Sequence, residues 1–494
     1  MVIGKRGKNM EEKINLKKIG QWIDGEPVYY DNGERIELSS PIDGKVFAYF
    51  QPMDLSRLDG TLDKVKVSSR KWRELSFKKR TEVLYKFRDL LRVYRTELAE
   101  TIHRENGKTM EEAYAEVDKA VELTEFACSI PSVVTGRTEV VSQGIDVKEV
   151  KEAVGIVASI VPFNFPLMVP MWTIPNALVL GNAIVMKPSD STPCTLFRIA
   201  GILKEAGLPD GCFTLLNGGK EVSEALCSHP NIDAVTFVGS TPVAKSVYRL
   251  STYNLKRCLA MGGAKNFILV TPEVNPTTTA KEILASAFGM GGQRCMAASV
   301  VVAINGCDNV LQECVKQAKE YLFHRDIPPL IRKSAVDKIT TFLQQTKGEI
   351  LCDGRDWIKN DSYPKNYIGP SIVKYQRIED IPNEEIFGPT LEWIDAENIH
   401  EALRFQQTSS FANGASIFTD YGRMANIAAS EFTSGMIGIN IGVPVPRDPF
   451  SFGGLKSSKF GYGDITGWSS IEFLTNTKKI TTKWNSDNKV DWMS

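Results

Sequence analysis

The stretch GIVASIVPFNFP, residues 155–166, is the first indication of the fold class. A run of apolar residues ends there at a turn between two prolines. Three more short apolar runs follow, separated by segments of helical character; they are Ala183 to Lys187, Phe213 to Leu216 and Ala234 to Val238. Alternating strands and helices build a parallel sheet with crossover helices, which commonly binds a dinucleotide at the carboxyl ends of its strands. The sequence therefore predicts an α/β fold with a Rossmann-type cofactor domain.

The segments around this alternating core have other patterns. Residues 21–50 mix short apolar runs with turn signals, which is typical of short strands and hairpins. Apolar residues recur at helical spacing from Leu55 to about Ala127, and strand–helix alternation returns from Asn266 to about Gly438. The Thr-rich segment from Ile471 to Lys483 has strand propensity. We expect it to form an arm that pairs with another subunit, or alternatively a local hairpin strand.

The composition excludes several classes of partner. Lys plus Arg and Asp plus Glu each number 59 among the 494 residues, so the balanced charge gives no general attraction to nucleic acid or to an anionic membrane. The longest apolar stretch, from Met168 to Met186, is interrupted by prolines and asparagines, and the first twenty residues contain no apolar core. We therefore expect a cytoplasmic protein without a membrane span.

The cysteines and histidines form no metal-binding pattern. The nine cysteines include no CxxC pair, and the four histidines are scattered singly along the chain. We therefore expect neither a disulfide framework nor a metal centre.

The segment GMGGQRCMA, residues 289–297, carries the first chemical signal. A cysteine taken alone is more often a small buried hydrophobe than a nucleophile. The three glycines of this segment change that balance, because they let the backbone approach a ligand closely, and Arg294 adds positive potential that favours the reactive thiolate. Cys295 is therefore the candidate nucleophile.

Asn164 lies in the turn that follows the first predicted strand of the core, where strand ends form ligand clefts. An asparagine in such a place is often only a turn residue. If it faces Cys295, however, its side-chain NH2 and the backbone N–H of Cys295 make a two-donor site for a developing oxyanion.

Residues 237–244, FVGSTPVA, end a predicted strand at Gly239 and place Pro242 in the first turn of a helix. Free N–H groups at such a helix start can hold a phosphate. The segment lacks the complete GxGxxG fingerprint, and a purely structural turn between strand and helix has the same appearance.

Several motifs together identify a family. The chain resembles the aldehyde dehydrogenase superfamily along nearly its whole length, and within it is most similar to the CoA-acylating methylmalonate-semialdehyde dehydrogenase branch. The motifs occur in the family's order; they are PFNFP, KPSDSTP, FVGSTPVA, MGGAKN, GGQRCMA, EEIFGP and INIGVPVP. The resemblance implies a Rossmann-type cofactor domain, an α/β catalytic domain and a β oligomerisation arm. The implied boundaries are 17–130 and 151–258 for the cofactor domain, 259–455 for the catalytic domain, 131–150 and 456–494 for the arm, and 1–16 for an N-terminal tail.

The resemblance also implies roles for individual positions. Cys295 matches the family nucleophile and Asn164 matches its oxyanion donor. Lys187 matches the lysine that binds the adenosine ribose, and Glu385 and Phe387 match the pair that positions the nicotinamide ribose and ring. The other implied cofactor contacts are Val161, Pro162, Phe163, Ser189, Asp190, Gly239, Ser240, Val243, Met261 and Gly262. The implied reaction oxidises a small aldehyde through a thioester on Cys295, with NAD(P) as hydride acceptor.

The acyl acceptor depends on one missing residue. Hydrolytic family members use a glutamate at the start of an ELGGK motif to activate the water that cleaves the thioester. The corresponding stretch, Leu259 to Asn266, contains no carboxylate. The acylating branch likewise lacks that glutamate, so the resemblance implies coenzyme A as the acceptor. A thioester from malonate or methylmalonate semialdehyde would lose CO2 before transfer, giving acetyl-CoA or propionyl-CoA.

A semialdehyde of this type carries a carboxylate, which needs a cationic partner beside Cys295. Arg294 is suitably placed by sequence. The branch usually has a second arginine where this chain has Lys119, and it tends to have a histidine where this chain has Phe126. Lysine keeps the charge but loses the bidentate fork. These departures leave the identity of the aldehyde open.

Three further points remain open. Asp190 is shorter than the glutamate of NAD-using relatives, yet its charge would repel a 2′-phosphate, so NAD is favoured over NADP. Related enzymes are tetramers built from dimers, so we expect a homotetramer. The alternatives to an acylating enzyme are a non-acylating dehydrogenase that releases a free acid, of the glyceraldehyde or succinate semialdehyde type, with a carboxylate from elsewhere as base, and a non-catalytic structural relative.

Overall fold

The computed structural model describes residues 17–31, 33–323, 325–359 and 364–484. The predicted N-terminal tail, 1–16, and positions 485–494 of the predicted arm lie outside the described residues. Within these ranges, no helix combines the length and the apolar character that a bilayer span requires.

Short strands and then long helices open the chain, which confirms both predictions for this region. β5 lies between β1 and β4 in a three-stranded sheet, whereas β2 and β3 extend the edge of a larger sheet. The strands are β1 (Lys17–Ile19), β2 (Gln21–Ile23), β3 (Glu26–Val28), β4 (Ile36–Ser39) and β5 (Val46–Phe50). The helices are α1 (Leu58–Glu74), α2 (Phe77–Val93), α3 (Arg95–Asn106) and α4 (Met110–Val133).

Local sequence sets the limits of these helices. α3 ends where Gly107 adopts a φ of 90°, a left-handed conformation that favours glycine. α4 begins with a capping box, in which the Thr109 side chain accepts from the Glu112 backbone and the Glu112 side chain accepts from the Thr109 backbone. This capping box matters for the site, because Glu112 also contacts the cysteine-bearing turn described below.

A parallel sheet forms the first core. A hairpin, β6 (Thr138–Ser142) and β7 (Ile145–Ala153), leads into β8 (Ile156–Ile160), β9 (Ala183–Lys187), β10 (Phe213–Leu215), β11 (Ala234–Val238) and β12 (Arg257–Met261). These last five strands lie in the order β12-β11-β8-β9-β10, and all neighbours are parallel. The connecting helices are α5 (Met168–Val179), α6 (Cys194–Glu205), α7 (Lys220–Ser228) and α8 (Thr241–Tyr253). The predicted α/β cofactor framework is thereby confirmed.

A seven-stranded sheet forms the second core, in the order β15-β16-β17-β14-β13-β19-β20, with only the β15–β16 pair antiparallel. Its strands are β13 (Asn266–Val270), β14 (Ala298–Ile304), β15 (Glu349–Cys352), β16 (Ser371–Tyr375), β17 (Thr390–Ala396), β19 (Gly414–Phe418) and β20 (Met436–Ile439), and the short β18 (Phe411–Ala412) pairs outside it. Its helices are α9 (Pro276–Phe288), α10 (Asp308–Lys319), α11 (Lys333–Gln345), α12 (Ile399–Thr408) and α13 (Gly422–Glu431).

The two sheets meet end to end. β12 of the first sheet ends at Met261, and β13 of the second begins at Asn266, so a short glycine-containing link joins the carboxyl edge of one sheet to the amino edge of the other. The cysteine-bearing turn and the Glu385 to Pro389 segment precede β14 and β17 at that same amino edge. The candidate residues therefore collect along the junction between the sheets.

The C-terminal segment pairs with the first sheet and with the short β18 before it forms an arm. The elements are β21 (Leu455–Lys456), β22 (Lys459–Phe460), α14 (Gly467–Leu474) and β23 (Thr475–Lys483). β21 pairs with β18, and β22 pairs with β12 at the edge of the first sheet. The strand predicted from Ile471 onward is wrong for its first four residues, because Trp468, Ile471 and Leu474 recur at helical spacing and extend α14.

β23 pairs antiparallel with β7 of the same chain, from Thr475 opposite Ala153 to Lys483 opposite Ile145. The alternative of a local hairpin strand is therefore wrong, because the partner strand lies far away in the sequence. In the described part of the chain no strand pairs with the second edge of β23. An unpaired strand edge is a template for another chain, so pairing with another subunit stays a prediction.

Arg257, at the start of β12, forms hydrogen bonds to the segment where α14 ends and β23 begins. Its Nη1 donates to the carbonyl oxygens of Phe473 and Thr475 at 2.5 and 2.9 Å. Its Nη2 donates to Oδ1 of Asn476 at 2.8 Å. Its Nη1 also donates to the carbonyl oxygen of Glu472 at 3.4 Å, so the guanidinium ties the arm to the first sheet through four hydrogen bonds.

Arg257→Ala is expected to loosen β23. Because a hydrogen bond made by a charged group contributes about 1.5–3 kcal/mol, amide exchange in residues 475–483 should accelerate by about tenfold or more. Hydrogen-exchange mass spectrometry measures this, with Arg249→Ala, at an exposed arginine of α8, as the control. Equal exchange in the two variants would mean that Arg257 does not hold the arm.

Candidate active site

Cys295 follows a turn with unusual backbone geometry. Met290, Gly291 and Gly292 have φ values of 55°, 60° and 69°. A Cβ atom on Gly292 would lie 2.1 Å from the carbonyl oxygen of Gly388, so only glycine allows this contact. The turn therefore packs, at Gly292, directly against Gly388 of the Glu385 to Pro389 segment.

Cys295 is half-buried as a residue, and it lies between this turn and the start of β14. Burial raises the pKa of the thiol to about 12, and the nearby Glu385 carboxylate raises it further, whereas the Arg294 charge and backbone hydrogen bonds lower it by less. Arg294 thus favours the thiolate, as the sequence indicates, but desolvation dominates here.

Two asparagines orient the backbone at Cys295. The Asn266 side-chain NH2 donates to the carbonyl oxygens of Cys295 at 2.9 Å and of Ala297 at 2.8 Å. The Asn413 side-chain NH2 donates to the Cys295 carbonyl oxygen at 3.2 Å. Neither residue is among the site residues predicted from the sequence. Asn266 ends the MGGAKN motif and could have been noticed, whereas nothing in the sequence marks Asn413.

Asn164 is buried beside the same turn. Its Nδ2 donates to the carbonyl oxygen of Gln293 at 2.9 Å, two residues before Cys295. The amide group therefore spans the junction between the two sheets. An amide NH2 has two hydrogens, so one remains for another acceptor.

Two carboxylates of α4 hold the turns that carry Cys295 and Asn164. Glu112 Oε1 accepts from the backbone N–H of Met290 at 2.7 Å. Glu116 Oε1 accepts from the backbone N–H groups of Leu167 and Met168 at 2.8 and 2.9 Å, at the start of α5. The other Glu116 oxygen forms a fully buried ion pair with Lys108. Neither glutamate carries a sequence signal that distinguishes it from a solvated helix acid.

The predicted adenosine-binding residues lie at the end of β9. Lys187 is buried, and its Nζ lies 3.1 Å from Oδ1 of Asp190. Burial lowers the pKa of Lys187, and the charges of Asp190 and Glu221 oppose that shift. Val161, which follows β8, donates its N–H to the Lys187 carbonyl oxygen at 3.1 Å, and Ser189 lies in the loop between Lys187 and Asp190.

The predicted phosphate turn lies at the end of β11. Gly239 donates its N–H to the carbonyl oxygen of Met261 at 3.1 Å, which joins the ends of β11 and β12. Ser240 is the N-cap of α8, but its side chain makes no capping hydrogen bond, so the N–H groups of Thr241 and Val243 stay open, whereas Pro242 between them has no N–H. Val243 is exposed in the same turn, and Gly262 continues from Met261.

The predicted nicotinamide-binding residues also come together. The rings of Phe163 and Phe387 meet edge to face at 6.0 Å, and Pro162 precedes Phe163 in the same turn. Glu385 Oε1 accepts from the backbone N–H of Ala264 at 3.0 Å. Burial raises the pKa of Glu385 to about 7, although Lys338 and Lys265 lower it. The Leu259 to Asn266 stretch has no carboxylate of its own, but Glu385 places one against it.

A cavity of about 680 Å³ reaches Cys295 from the other side of the turn. Both predicted substrate residues, Arg294 and Lys119, line it, and so does Arg447, which the sequence analysis did not select. Arg294 Nη2 donates to the carbonyl oxygens of Ala285 and Ser286 at 2.8 and 2.7 Å. Phe126 lines a neighbouring cavity instead.

Comparison with known proteins assigns the class. The model of the aldehyde dehydrogenase family matches residues 29–480. The chain belongs to the aldehyde dehydrogenase family.

Within the family, three proteins that are at least 32% identical to this chain carry related names. A malonate-semialdehyde dehydrogenase 2 of Geobacillus kaustophilus is 35% identical over 480 residues, which cover 94% of this chain and 97% of that one. The crystal structure of methylmalonate-semialdehyde dehydrogenase from Oceanimonas doudoroffii has a TM-score of 0.92 at 32% identity, covering 96% of this chain and 99% of that one. A provisionally named methylmalonate-semialdehyde dehydrogenase from Sinorhizobium meliloti, complexed with NAD, has a TM-score of 0.92 at 34% identity over the same shares.

Glu116→Gln is expected to lower the free energy of unfolding by about 3 kcal/mol, because it leaves the Lys108 ammonium buried without a counter-charge. Urea denaturation measures the loss. Asp337→Asn is the control, because its ion pair with Lys333 is exposed and should contribute less than about 0.5 kcal/mol. Equal losses in the two variants would contradict the importance of the buried pair.

Glu385→Gln tests whether burial raises the pKa of the Glu385 carboxyl. The pKa of the Glu385 carboxyl is about 7 in the folded protein, against an ordinary value of 4.5. The folded protein therefore holds the Glu385 proton more tightly than the unfolded chain does. The ionised form therefore destabilises the fold above pH 7, and this penalty of about 3 kcal/mol fades as the pH falls towards 4.5.

In the absence of nucleotide, we expect Glu385→Gln to be more stable than the wild type near pH 8, and the difference to shrink below about 1 kcal/mol near pH 5. Chemical denaturation at both pH values measures it, with Glu431→Gln, at an exposed site on α13, as the control. A difference independent of pH would show that Glu385 titrates normally.

Proposed function

We propose that the chain oxidises malonate semialdehyde or methylmalonate semialdehyde with NAD, through a thioester on Cys295, and transfers the acyl group to coenzyme A. The observation that carries this proposal is the half-buried Cys295, next to the buried Asn164 amide and open to a cavity lined by cations. The names of the similar proteins support the same class of substrate.

The junction between the sheets fits a dinucleotide. The open N–H groups at the start of α8 suit a pyrophosphate, and Lys187 suits the adenosine ribose. Asp190 and Glu221 both act on Lys187, and their charges would repel a 2′-phosphate, which favours NAD over NADP. Glu385, Phe163 and Phe387 would hold the nicotinamide end. When bound there, NAD would accept the hydride that the former aldehyde carbon loses when its adduct with Cys295 becomes the thioester.

The protein groups then perform the acyl chemistry. Cys295 loses its proton and its sulfur attacks the aldehyde carbon, which moves the carbonyl electrons onto oxygen. The second hydrogen of the Asn164 amide and the backbone N–H of Cys295 stabilise that oxyanion. Asn266 and Asn413 fix the Cys295 carbonyl, so the direction of the peptide group is set before the substrate arrives.

The acyl acceptor follows from the absence of a base in the Leu259 to Asn266 stretch. Without a carboxylate there, that motif cannot activate water, so the thioester persists until a thiol attacks it. The substrate carboxylate leaves as CO2 from the thioester, and a proton replaces it on the adjacent carbon. Transfer to coenzyme A gives acetyl-CoA from malonate semialdehyde or propionyl-CoA from methylmalonate semialdehyde, and returns the Cys295 thiol.

A second candidate function is hydrolysis to the free acid, and one observation favours it. The Glu385 carboxylate lies against Gly263, whose Cβ position would be 2.6 Å from Glu385 Oε2. A small cavity of about 20 Å³ beside Glu385 and Gly292 has room for one water molecule. A carboxyl with a pKa near 7 could serve as the base that the sequence lacks.

We also propose a homotetramer built from dimers, in which the unpaired edge of β23 meets another subunit. Light scattering at working concentrations tests this assembly. A monomer would contradict it.

NADH formation from malonate semialdehyde and NAD, with and without coenzyme A, tests the reaction. The account predicts turnover that requires coenzyme A and gives acetyl-CoA. Cys295→Ala should abolish NADH formation, whereas Cys128→Ala, at a buried cysteine outside the site, should retain it. Steady turnover to a free acid without coenzyme A would contradict acylation and point to Glu385, and NADH formation by Cys295→Ala would contradict the thioester.

A further inference from the structure

Three cations line the cavity that reaches Cys295. They are Lys119 from α4, Arg294 from the cysteine-bearing turn and Arg447 from the loop between β20 and β21. A substrate carboxylate needs a cation that is free to pair with it. The three candidates differ in how far their charges are already used.

Lys119 and Arg294 are already engaged. The Lys119 Nζ lies 2.7 Å from Oε2 of Glu122, in an ion pair along α4. Arg294 is tied by Nη2 to two carbonyl oxygens at the end of α9, which orients its guanidinium but leaves its charge unneutralised. Lys119 therefore offers less free charge than its position in the sequence suggests.

Arg447 forms no ion pair with any residue that the structure describes, and its side chain is exposed at the cavity. The same arginine also lines the adjoining cavity, together with Lys119 and Asp448. Of these two neighbours, Lys119 already has Glu122. Arg447 keeps a complete guanidinium fork for a ligand.

The acids of the cavity leave this charge uncompensated. Asp118 is bound by Arg95 through two hydrogen bonds, at 2.6 and 2.7 Å. Glu122 is bound by Lys119. Glu282 is exposed on α9 and has no ion pair within the described ranges. Among the residues that line this cavity, Arg294 and Arg447 are thus set against Glu282 alone, which leaves a net positive charge. Asp448 lines only the adjoining cavity, where the Lys119 charge acts on its carboxyl.

The loop that carries Arg447 is held at both ends. The backbone N–H of Val443 donates to Oγ of Ser286 at 3.1 Å. The backbone N–H of Trp468 donates to the carbonyl oxygen of Pro449 at 3.1 Å. Prolines at 444, 446 and 449 fix φ within the loop. A restrained backbone reduces the entropy lost when Arg447 takes up a ligand.

We propose that Arg447 binds the carboxylate of the semialdehyde and supplies the second arginine-type contact that the sequence assigns to Lys119. This inference rests on the proposed oxidation of an anionic aldehyde. Arg294 and Arg447 together then select a substrate with a carboxylate beyond the aldehyde carbon, whereas an uncharged aldehyde of the same size gains nothing from Arg447.

Arg447→Met tests this selection, because methionine keeps an unbranched side chain without the charge. We expect the KM for malonate semialdehyde to rise by about tenfold, with kcat changed less than about twofold, because the contact stabilises bound substrate throughout the reaction. The KM for propanal, which has the same three carbons but no carboxylate, should stay unchanged. Arg447→Lys should recover part of the loss, and Arg404→Met, at an exposed arginine of α12, should match the wild type.

A calorimetric titration of Cys295→Ala with malonate semialdehyde, with and without Arg447→Met, measures the same contact without turnover. Weaker binding in the double variant supports Arg447 even if the acyl acceptor proves to be water. Equal binding, or equal KM values in the kinetic comparison, would overturn the role of Arg447. A rise in the KM for coenzyme A alone would overturn it as well, because Arg447 would then bind a phosphate of that co-substrate.

Discussion

Glu112 and Glu116 lie one helical turn apart on α4, and each accepts backbone hydrogen bonds from a loop that is distant in the sequence. Residues spaced by four share a helix face, so the two carboxylates point the same way. One of them holds the turn before Cys295, and the other holds the start of α5 just after Asn164. One helix therefore positions both the turn before Cys295 and the segment after Asn164. The Lys108 ammonium compensates the charge of Glu116.

Burial sets the electrostatics of this site. It raises the pKa of Cys295 to about 12, so the thiolate is scarcer than in an exposed cysteine, and it raises the pKa of Glu385 to about 7, so this carboxyl is only partly ionised at neutral pH. Arg294 contributes the nearest positive charge to Cys295 and is itself held by carbonyl oxygens, not by an acid. A cation that is oriented but not neutralised can assist the thiolate and still face an anionic substrate.

Much of the fold could be predicted from the sequence, because its signals are local. The apolar runs that became β8, β9, β10 and β11 are short and continuous, as in strands covered on both faces, and segments of helical character separate them, so their place in a parallel sheet followed. The error at Ile471 to Leu474 has the same origin, because the threonines that follow suggested strand before α14 had ended. No local pattern in residues 145–153 marks their pairing with β23, and only the family resemblance, which places 131–150 and 456–494 in one arm, brings the two segments together.

Some of the site residues could likewise be predicted from local motifs, and others could not. Cys295, Asn164, Lys187 and Glu385 stand in motifs, and the fold brings them to one junction. Asn413, Glu112 and Arg447 act through contacts that arise only when distant segments meet. Glu112 stands in a capping box and Arg447 follows the INIGVPVP motif, but neither pattern predicts the contact that the residue makes at the site.

The central claim is that Cys295 carries the acyl group and that water does not readily remove it. Peptide mass mapping detects an acyl group on Cys295. The protein is mixed briefly with NAD and malonate semialdehyde in the absence of coenzyme A. The account predicts an acyl adduct on the peptide containing Cys295, which disappears when coenzyme A is added. NADH formation with no adduct on that peptide, or with an adduct on another cysteine, would contradict it.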